Sequence, residues 1–297
     1  MRRLTYLALG LLLIGGAGFW IATRPAHVDP GRFAGLAADP ARGEQVFHAA
    51  GCASCHMAPG AVGEDRLVLS GGQRFPSPFG TFVAPNISTD PVHGIGGWTV
   101  AQLADAVLEG VSPAGRHYYP VFPWDSYRGM TEQDLVDLHG HLATLPASTA
   151  ASAPHELPLP FRLRRGLGLW KLAFDRDGWV IDPPDLTEEE ARGRYLVEVL
   201  GHCAECHTPR AFTGALERHR WLAGGPDPSG RGRIPNITPA RLDWSVEEIA
   251  EYLRSGFTPD FDSAGGHMAL VVDNYARLPD GDRLAVAAYL KRVPAAE

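Results

Sequence analysis

All four cysteines of the chain fall in two strings of one kind, Cys52-Ala53-Ser54-Cys55-His56 and Cys203-Ala204-Glu205-Cys206-His207. Two thiols three residues apart on a helical turn reach the two vinyl groups of one porphyrin, and the next residue offers an imidazole to the iron. Cys-x-x-Cys-His is the pattern for thioether attachment of a c-type haem, with its histidine as proximal ligand. The spacing predicts two covalently bound haem c groups, on Cys52, Cys55 and His56 and on Cys203, Cys206 and His207. Rival uses of the cysteines fit less well. A thioredoxin-like dithiol needs a βαβ setting, and a four-cysteine zinc site or a pair of disulfides leaves the two trailing histidines unexplained.

The residue on the other face of each haem decides what it can do. An iron with both axial positions filled by protein passes electrons, whereas an open one binds oxygen or peroxide. After the second motif the only methionine is Met268, in Gly265-Gly266-His267-Met268. A soft thioether there is expected to ligate the iron opposite His207, in preference to His267, and to favour the reduced state. After the first motif stand Met57, His117 and Met130. Met57 adjoins His56 and cannot reach the opposite face. Met130, directly before a helix, and His117, in Gly115-Arg116-His117-Tyr118-Tyr119-Pro120, both remain open as distal ligand of the first haem. The other histidines form no further cluster. No Gly-x-Ser-x-Gly, phosphate-cradling glycine loop or isolated carboxylate pair is present.

The elements that position these residues occur twice, about 150 residues apart. Arg42-Gly43 recurs as Arg192-Gly193, Pro85-Asn86-Ile87-Ser88 as Pro235-Asn236-Ile237-Thr238, and Trp98 as Trp244. Each half ends on a helix-like run, Thr131 to Leu145 and Pro279 to Val293. Thr99-x-x-Gln102, Thr187-x-x-Glu190 and Ser245-x-x-Glu248 read as capping boxes, and Gly110 and Gly256 as helix stops. No period-two alternation is sustained, so the fold class expected is all-α. Between the halves an Ala/Pro-rich stretch leads into a basic apolar one, Phe161 to Lys171, read as a strap packed across both domains rather than a docking site.

The chain has 297 residues, enough for two cores, with 34 Gly and 25 Pro that fit helices joined by turn-rich loops. A net charge of −7 without a basic block offers no nucleic-acid surface. After Met1-Arg2-Arg3 the chain runs uncharged from Leu4 to Thr23, the length of a membrane-crossing helix with its start in the cytoplasm. We expect an uncleaved anchor, with a cleaved signal peptide as the alternative; both export the remainder, to the periplasmic side of the inner membrane or free in the periplasm. The expected division is a membrane anchor (1–25), a first domain (26–146), a linker (147–184) and a second domain (185–297).

With these pieces in hand the chain resembles the diheme c-type cytochromes of proteobacteria, which are similar to the cytochrome subunits of membrane-bound alcohol and gluconate dehydrogenases. The resemblance runs from about Ala41 to Val293. It is carried by Gly94-Ile95-Gly96-Gly97-Trp98, Tyr118-Tyr119-Pro120-Val121-Phe122-Pro123-Trp124, Gly224-Gly225-Pro226 with Arg233 to Thr238, and Gly256-Phe257-Thr258-Pro259-Asp260-Phe261. It implies two tandem cytochrome c domains behind an N-terminal transmembrane helix, carrying electrons between a dehydrogenase or quinol-oxidising complex and a small cytochrome or terminal oxidase, without catalysis of its own. A haem enzyme such as a diheme peroxidase or thiosulfate dehydrogenase is the alternative. Two departures stand out: the dehydrogenase subunits carry three haems, and Phe122 stands where they often have a methionine ligand. In small cytochromes of this fold an N-terminal glycine packs on an aromatic residue of the last helix; Gly193 with Tyr289 fits that pattern, and the first half offers Gly43 with His141.

Overall fold

The computed structural model describes residues 2–228, 230 and 232–297. It opens on α1 (Arg2–Ala22), a helix with no buried residue and a mean hydropathy of 1.9, long and apolar enough to cross a membrane. Thr23 closes it, its hydroxyl donating to the Phe19 carbonyl at 2.7 Å.

The first half is built on α2 (Pro40–Ala49), α3 (Cys52–His56), α4 (Val100–Glu109), α5 (Trp124–Tyr127) and α6 (Glu132–Leu142). The Asp39 carboxylate caps α2, and Thr99 with Gln102 forms a reciprocal capping box on α4. Gly110, at φ +56°, ends α4 in the left-handed region that glycine enters without strain. One antiparallel pair, β1 (Arg74–Ser77) and β2 (Gly80–Val83), follows the first motif.

The strap then crosses both halves. Glu156 pairs with Thr81, α7 (Leu167–Phe174) lies against the end of α4 through the Lys171 ammonium on the Glu109 and Gly110 carbonyls, and Trp170 donates to Thr213 at 3.0 Å. Further on, the Val180 and Ile181 amides donate to the Glu198 carboxylate.

The second half repeats the first with α8 (Glu188–Arg194), α9 (Ala204–His207), α10 (Val246–Ser255), α11 (Gly266–Tyr275) and α12 (Asp280–Leu290), and a short pair, β3 (Gly225–Pro226) and β4 (Arg233–Ile234). The capping boxes at Thr187 and Ser245 are both formed. In each half the first and last helices cross at a glycine. A Cβ on Gly43 would lie 2.0 Å from the Asp137 carbonyl oxygen and 2.8 Å from Cβ of His141; one on Gly193 would lie 1.9 Å from the Ala285 oxygen and 2.8 Å from Cβ of Tyr289.

The two halves differ by one inserted residue. Arg42 stands ten residues before Cys52, but Arg192 stands eleven before Cys203. The extra residue is absorbed in a single π-helical stretch, Tyr195–Leu200, which continues α8. Both halves then enter the cysteine motif through a left-handed residue, Gly51 at φ +61° and His202 at φ +38°. Buried apolar side chains of both halves form one continuous core, with Phe47, Leu135, Leu196 and Tyr289 fully enclosed. Polar contacts also join the halves: the Tyr195 hydroxyl donates to Asp134 at 2.5 Å, Asn274 to Ser54 at 2.8 Å, and Arg66 meets Asp273 at 2.6 Å.

Candidate functional site

The two cysteine strings occupy matching places. His56 lies at the end of α3 with Nδ1 2.9 Å from the Pro85 carbonyl oxygen, and His207 at the end of α9 with Nδ1 2.8 Å from that of Pro235. A carbonyl accepts only from N–H, so Nδ1 carries the proton in both rings and Nε2 is left with its lone pair outward. This is the second-shell bond that orients a metal-ligating histidine. Burial holds both imidazoles below the ordinary histidine range, which keeps them neutral and able to ligate.

The accepting carbonyls are themselves fixed. The Gly71 amide donates to the His56 carbonyl at 2.7 Å and the Gly224 amide to that of His207 at 2.6 Å. A Cβ on Gly71 would come within 2.5 Å of Pro85, and one on Gly224 within 2.7 Å of Pro235, so only glycine lets the Pro-Asn segments approach. Asn86 then donates to Ser148 and Ala150, and Asn236 to Ala296, tying each segment to the chain that follows the last helix of its half. The repeat of Pro-Asn-Ile was visible in the sequence. Its role, holding the ring of the preceding histidine, comes from the fold.

No disulfide joins the four cysteines; Cys55 and Cys206 are exposed and Cys52 and Cys203 half-buried. Among the described residues no group of three or more His, Cys, Asp or Glu side chains is gathered as a bare metal ion would need. Cysteine pairs with one exposed and one half-buried member, each followed by a neutral imidazole with Nε2 free, fit covalent haem c. The two motifs adjoin, with burial first and then the nearby Cys206 pushing the Cys55 thiol up to about 11. Tyr127 sits between them, its hydroxyl on the Ala50 carbonyl at 2.8 Å and its ring edge-on to His202 at 5.3 Å, and His202 hydrogen-bonds the same carbonyl. His202 is one of the histidines that form no cluster in the sequence; the signal for its place here was the one-residue difference in spacing before the second motif.

Beside the second motif lies an enclosed carboxyl the sequence did not single out. Asp125 has a buried Oδ1 without a partner. Burial, and next the charges of Glu205 and Asp175, push its pKa up from 3.8 to about 7, against Arg210 and Arg218. Between about pH 4 and pH 7 the folded chain therefore binds more protons here than the unfolded one, and stability falls as pH rises through that window. Asp125→Asn removes the ionisation at constant shape. Thermal unfolding should show the variant gaining on the natural protein between pH 4 and pH 8; an equal difference at both values would contradict the assignment.

The distal candidates are placed as follows. Met268 lies in the first turn of α11, half-buried against the common core. His117 is buried with Nε2 2.9 Å from the Thr23 carbonyl oxygen at the end of α1, leaving a buried Nδ1 unpartnered. Met130 is buried in the core directly before α6. Hydrogen bonds give the register between the halves. The Tyr118 amide donates to Gly110 and the Ala264 amide to Gly256, both at 2.8 Å, so four residues on Phe122 is the counterpart of Met268. From the other side, the Asp137 and Ala285 carbonyls meet Gly43 and Gly193 in the two halves, so seven residues earlier Met130 is the counterpart of buried Leu278. Between these anchors the second half has two more residues, which lengthen α11 relative to α5.

Adjoining Cys-x-x-Cys-His turns, each with its histidine braced on a proline carbonyl within a helical fold, define a c-type cytochrome. The cytochrome c family model matches residues 40–146. A diheme cytochrome c-type of Cereibacter sphaeroides is 60% identical over the whole of both chains. The fructose dehydrogenase cytochrome subunit of Gluconobacter japonicus is 37% identical over 86% of this chain and 52% of its own length, and the gluconate 2-dehydrogenase cytochrome c subunit of Pantoea cypripedii 32% identical over 89% and 63%. The chain thus spans only about half to two thirds of those dehydrogenase subunits. It belongs to the diheme c-type cytochromes, haem proteins of electron transfer.

Proposed function

We propose that this protein is a membrane-anchored, periplasmic electron relay with two haem c groups in series. One is joined to Cys52 and Cys55 with His56 as proximal ligand, the other to Cys203 and Cys206 with His207 proximal and Met268 distal. Met130 or His117 is the distal ligand of the first. The observation that carries this reading is the paired histidine geometry, Nδ1 on a proline carbonyl at 2.9 and 2.8 Å behind two adjoining cysteine pairs.

In this reading 1–25 is the anchor, 26–146 and 185–297 are tandem cytochrome c domains, and 147–184 links them. The supports are the length and apolarity of α1 and the duplicated helix crossings at Gly43 and Gly193. Kinship with dehydrogenase cytochrome subunits supports a periplasmic dehydrogenase as donor, with a small cytochrome or terminal oxidase as acceptor. The haems supply the redox chemistry; the protein supplies ligation, position and polarity. Rapid mixing with a substoichiometric one-electron reductant tests the relay. Each haem is expected to titrate as a one-electron couple, and the electron to settle on the higher-potential haem before any intermolecular exchange. An electron that remains on the lower-potential haem until intermolecular exchange would contradict it.

One observation favours a second reading of the first haem. With Phe122 in the register of Met268, an iron open to ligands there would suit a haem enzyme such as a peroxidase or thiosulfate dehydrogenase. Stoichiometric carbon monoxide binding to one haem of the intact ferrous protein is the outcome that would favour it.

A further inference from the structure

We propose that the strap from Pro158 to Phe174 lies on the membrane surface beside α1, its apolar side chains in the boundary between headgroups and acyl chains, and so fixes the height and tilt of both haem-attachment sites. The inference rests on the reading of α1 as a membrane span.

The strap has an inner and an outer face. Inward, Gly168 is buried so close to α1 that a Cβ would lie 2.6 Å from Cβ of Thr23, while Trp170 and Lys171 bond to backbone carbonyls of the two halves. Outward, Leu169 and Leu172 stand one helical turn apart on the exposed side of α7. Leu159, Leu163 and Leu172 are 72%, 66% and 62% exposed, and Phe161 is exposed with them. A soluble surface rarely gathers so many large apolar side chains in so short a run, and such a gathering marks an interaction site.

Contact with α1 identifies what covers it. The Arg165 guanidinium stacks on the Trp20 ring at 4.0 Å and donates to the Thr23 hydroxyl at 2.9 Å and to the Trp20 carbonyl. Trp20 lies in the last turn of α1, the level at which tryptophan marks the bilayer interface. The outer face of the strap is thus continuous with the helix end that would emerge from lipid. Its charge agrees: besides the inward Lys171, Arg162, Arg164 and Arg165 fall between Leu157 and Phe174 with no Asp or Glu, in a chain of net charge −7. A basic segment with bulky apolar side chains binds anionic lipid by burying the latter and pairing the former with headgroups.

The test uses the full haem-loaded chain in nanodiscs of phosphatidylethanolamine and phosphatidylglycerol, spin-labelled at Leu172→Cys, at Leu12→Cys within α1, or at exposed Val92→Cys. Collision with oxygen reports lipid, and collision with a water-soluble nickel complex reports water. The Leu172 label is expected to favour oxygen at interfacial depth, the Leu12 label to sit deep, and the Val92 label to stay aqueous. Adding Arg162→Glu and Arg164→Glu should raise nickel accessibility at Leu172 about threefold or more. A Leu172 label open to nickel while Leu12 is in lipid overturns the proposal and leaves the anchor standing. A Leu172 label shielded from both reagents overturns it in favour of a protein cover. A Leu12 label in water overturns the anchor and the proposal together.

Discussion

Met268→Ala is expected to abolish one His/Met signal in the near-infrared magnetic dichroism of the oxidised protein and to lower the potential of that haem by about 0.2 V or more, within the roughly 0.8 V that axial ligands span. In the proposed ligation a thioether would favour the ferrous state, and its loss would leave water or nothing on the face opposite His207. His267→Ala is the control: its side chain is one residue away, exposed and stacked on Phe75 at 5.9 Å, so both readouts should survive. An unchanged signal in Met268→Ala would sink the assignment. The same spectroscopy reads the first haem. Loss of a second His/Met signal in Met130→Ala but not in His117→Ala would give it a sulfur ligand. A natural protein with a single such signal would instead follow the register that sets Phe122 against Met268.

The second large effect concerns stability. Gly193→Ala adds one methyl group, which on an open helix would stabilise by about 1 kcal/mol. Here that methyl would stand 1.9 Å from the Ala285 carbonyl oxygen and 2.8 Å from Cβ of Tyr289, so α8 and α12 must separate. Overpacking costs about 1–3 kcal/mol and occasionally more, and backbone against backbone cannot relax by a rotamer change. We expect a net loss near ~3 kcal/mol, read as a lower denaturation midpoint at unchanged slope. Gly43→Ala, with its 2.0 Å approach to Asp137, should behave alike. An unchanged midpoint in both would mean that the crossings are looser than the structure has them.

Much of this was legible in the residues because identity alone carries it. Cysteine pairs trailed by histidine have few other uses, and the capping boxes at Thr99, Thr187 and Ser245 formed as read because a cap is a local bond between residues three apart. The pairings of Gly43 with His141 and of Gly193 with Tyr289, implied by the family resemblance and not by the residues alone, are close contacts in the fold. What escaped depends on register. The β1–β2 pair is four residues a side with Pro76 inside it, too short to show alternation. The π-helical stretch and the left-handed His202 follow from one added residue, which shows only when the halves are laid against each other. The proline carbonyls that hold His56 and His207 lie 29 and 28 residues further along the chain, so no local pattern joins the partners. The strap was expected to pack across both halves, and it does; that it also turns an apolar face outward needed the fold, since spacing cannot tell a leucine facing a core from one facing outward.

Both cysteine pairs are proposed to carry haem. The intact mass of the full chain, with its pyridine haemochrome spectrum, after expression in cells competent for cytochrome c maturation, reads this out. Two covalently bound haems per chain and a c-type absorption band are expected; a colourless protein with four free thiols, or one holding a single haem, would overturn the proposal.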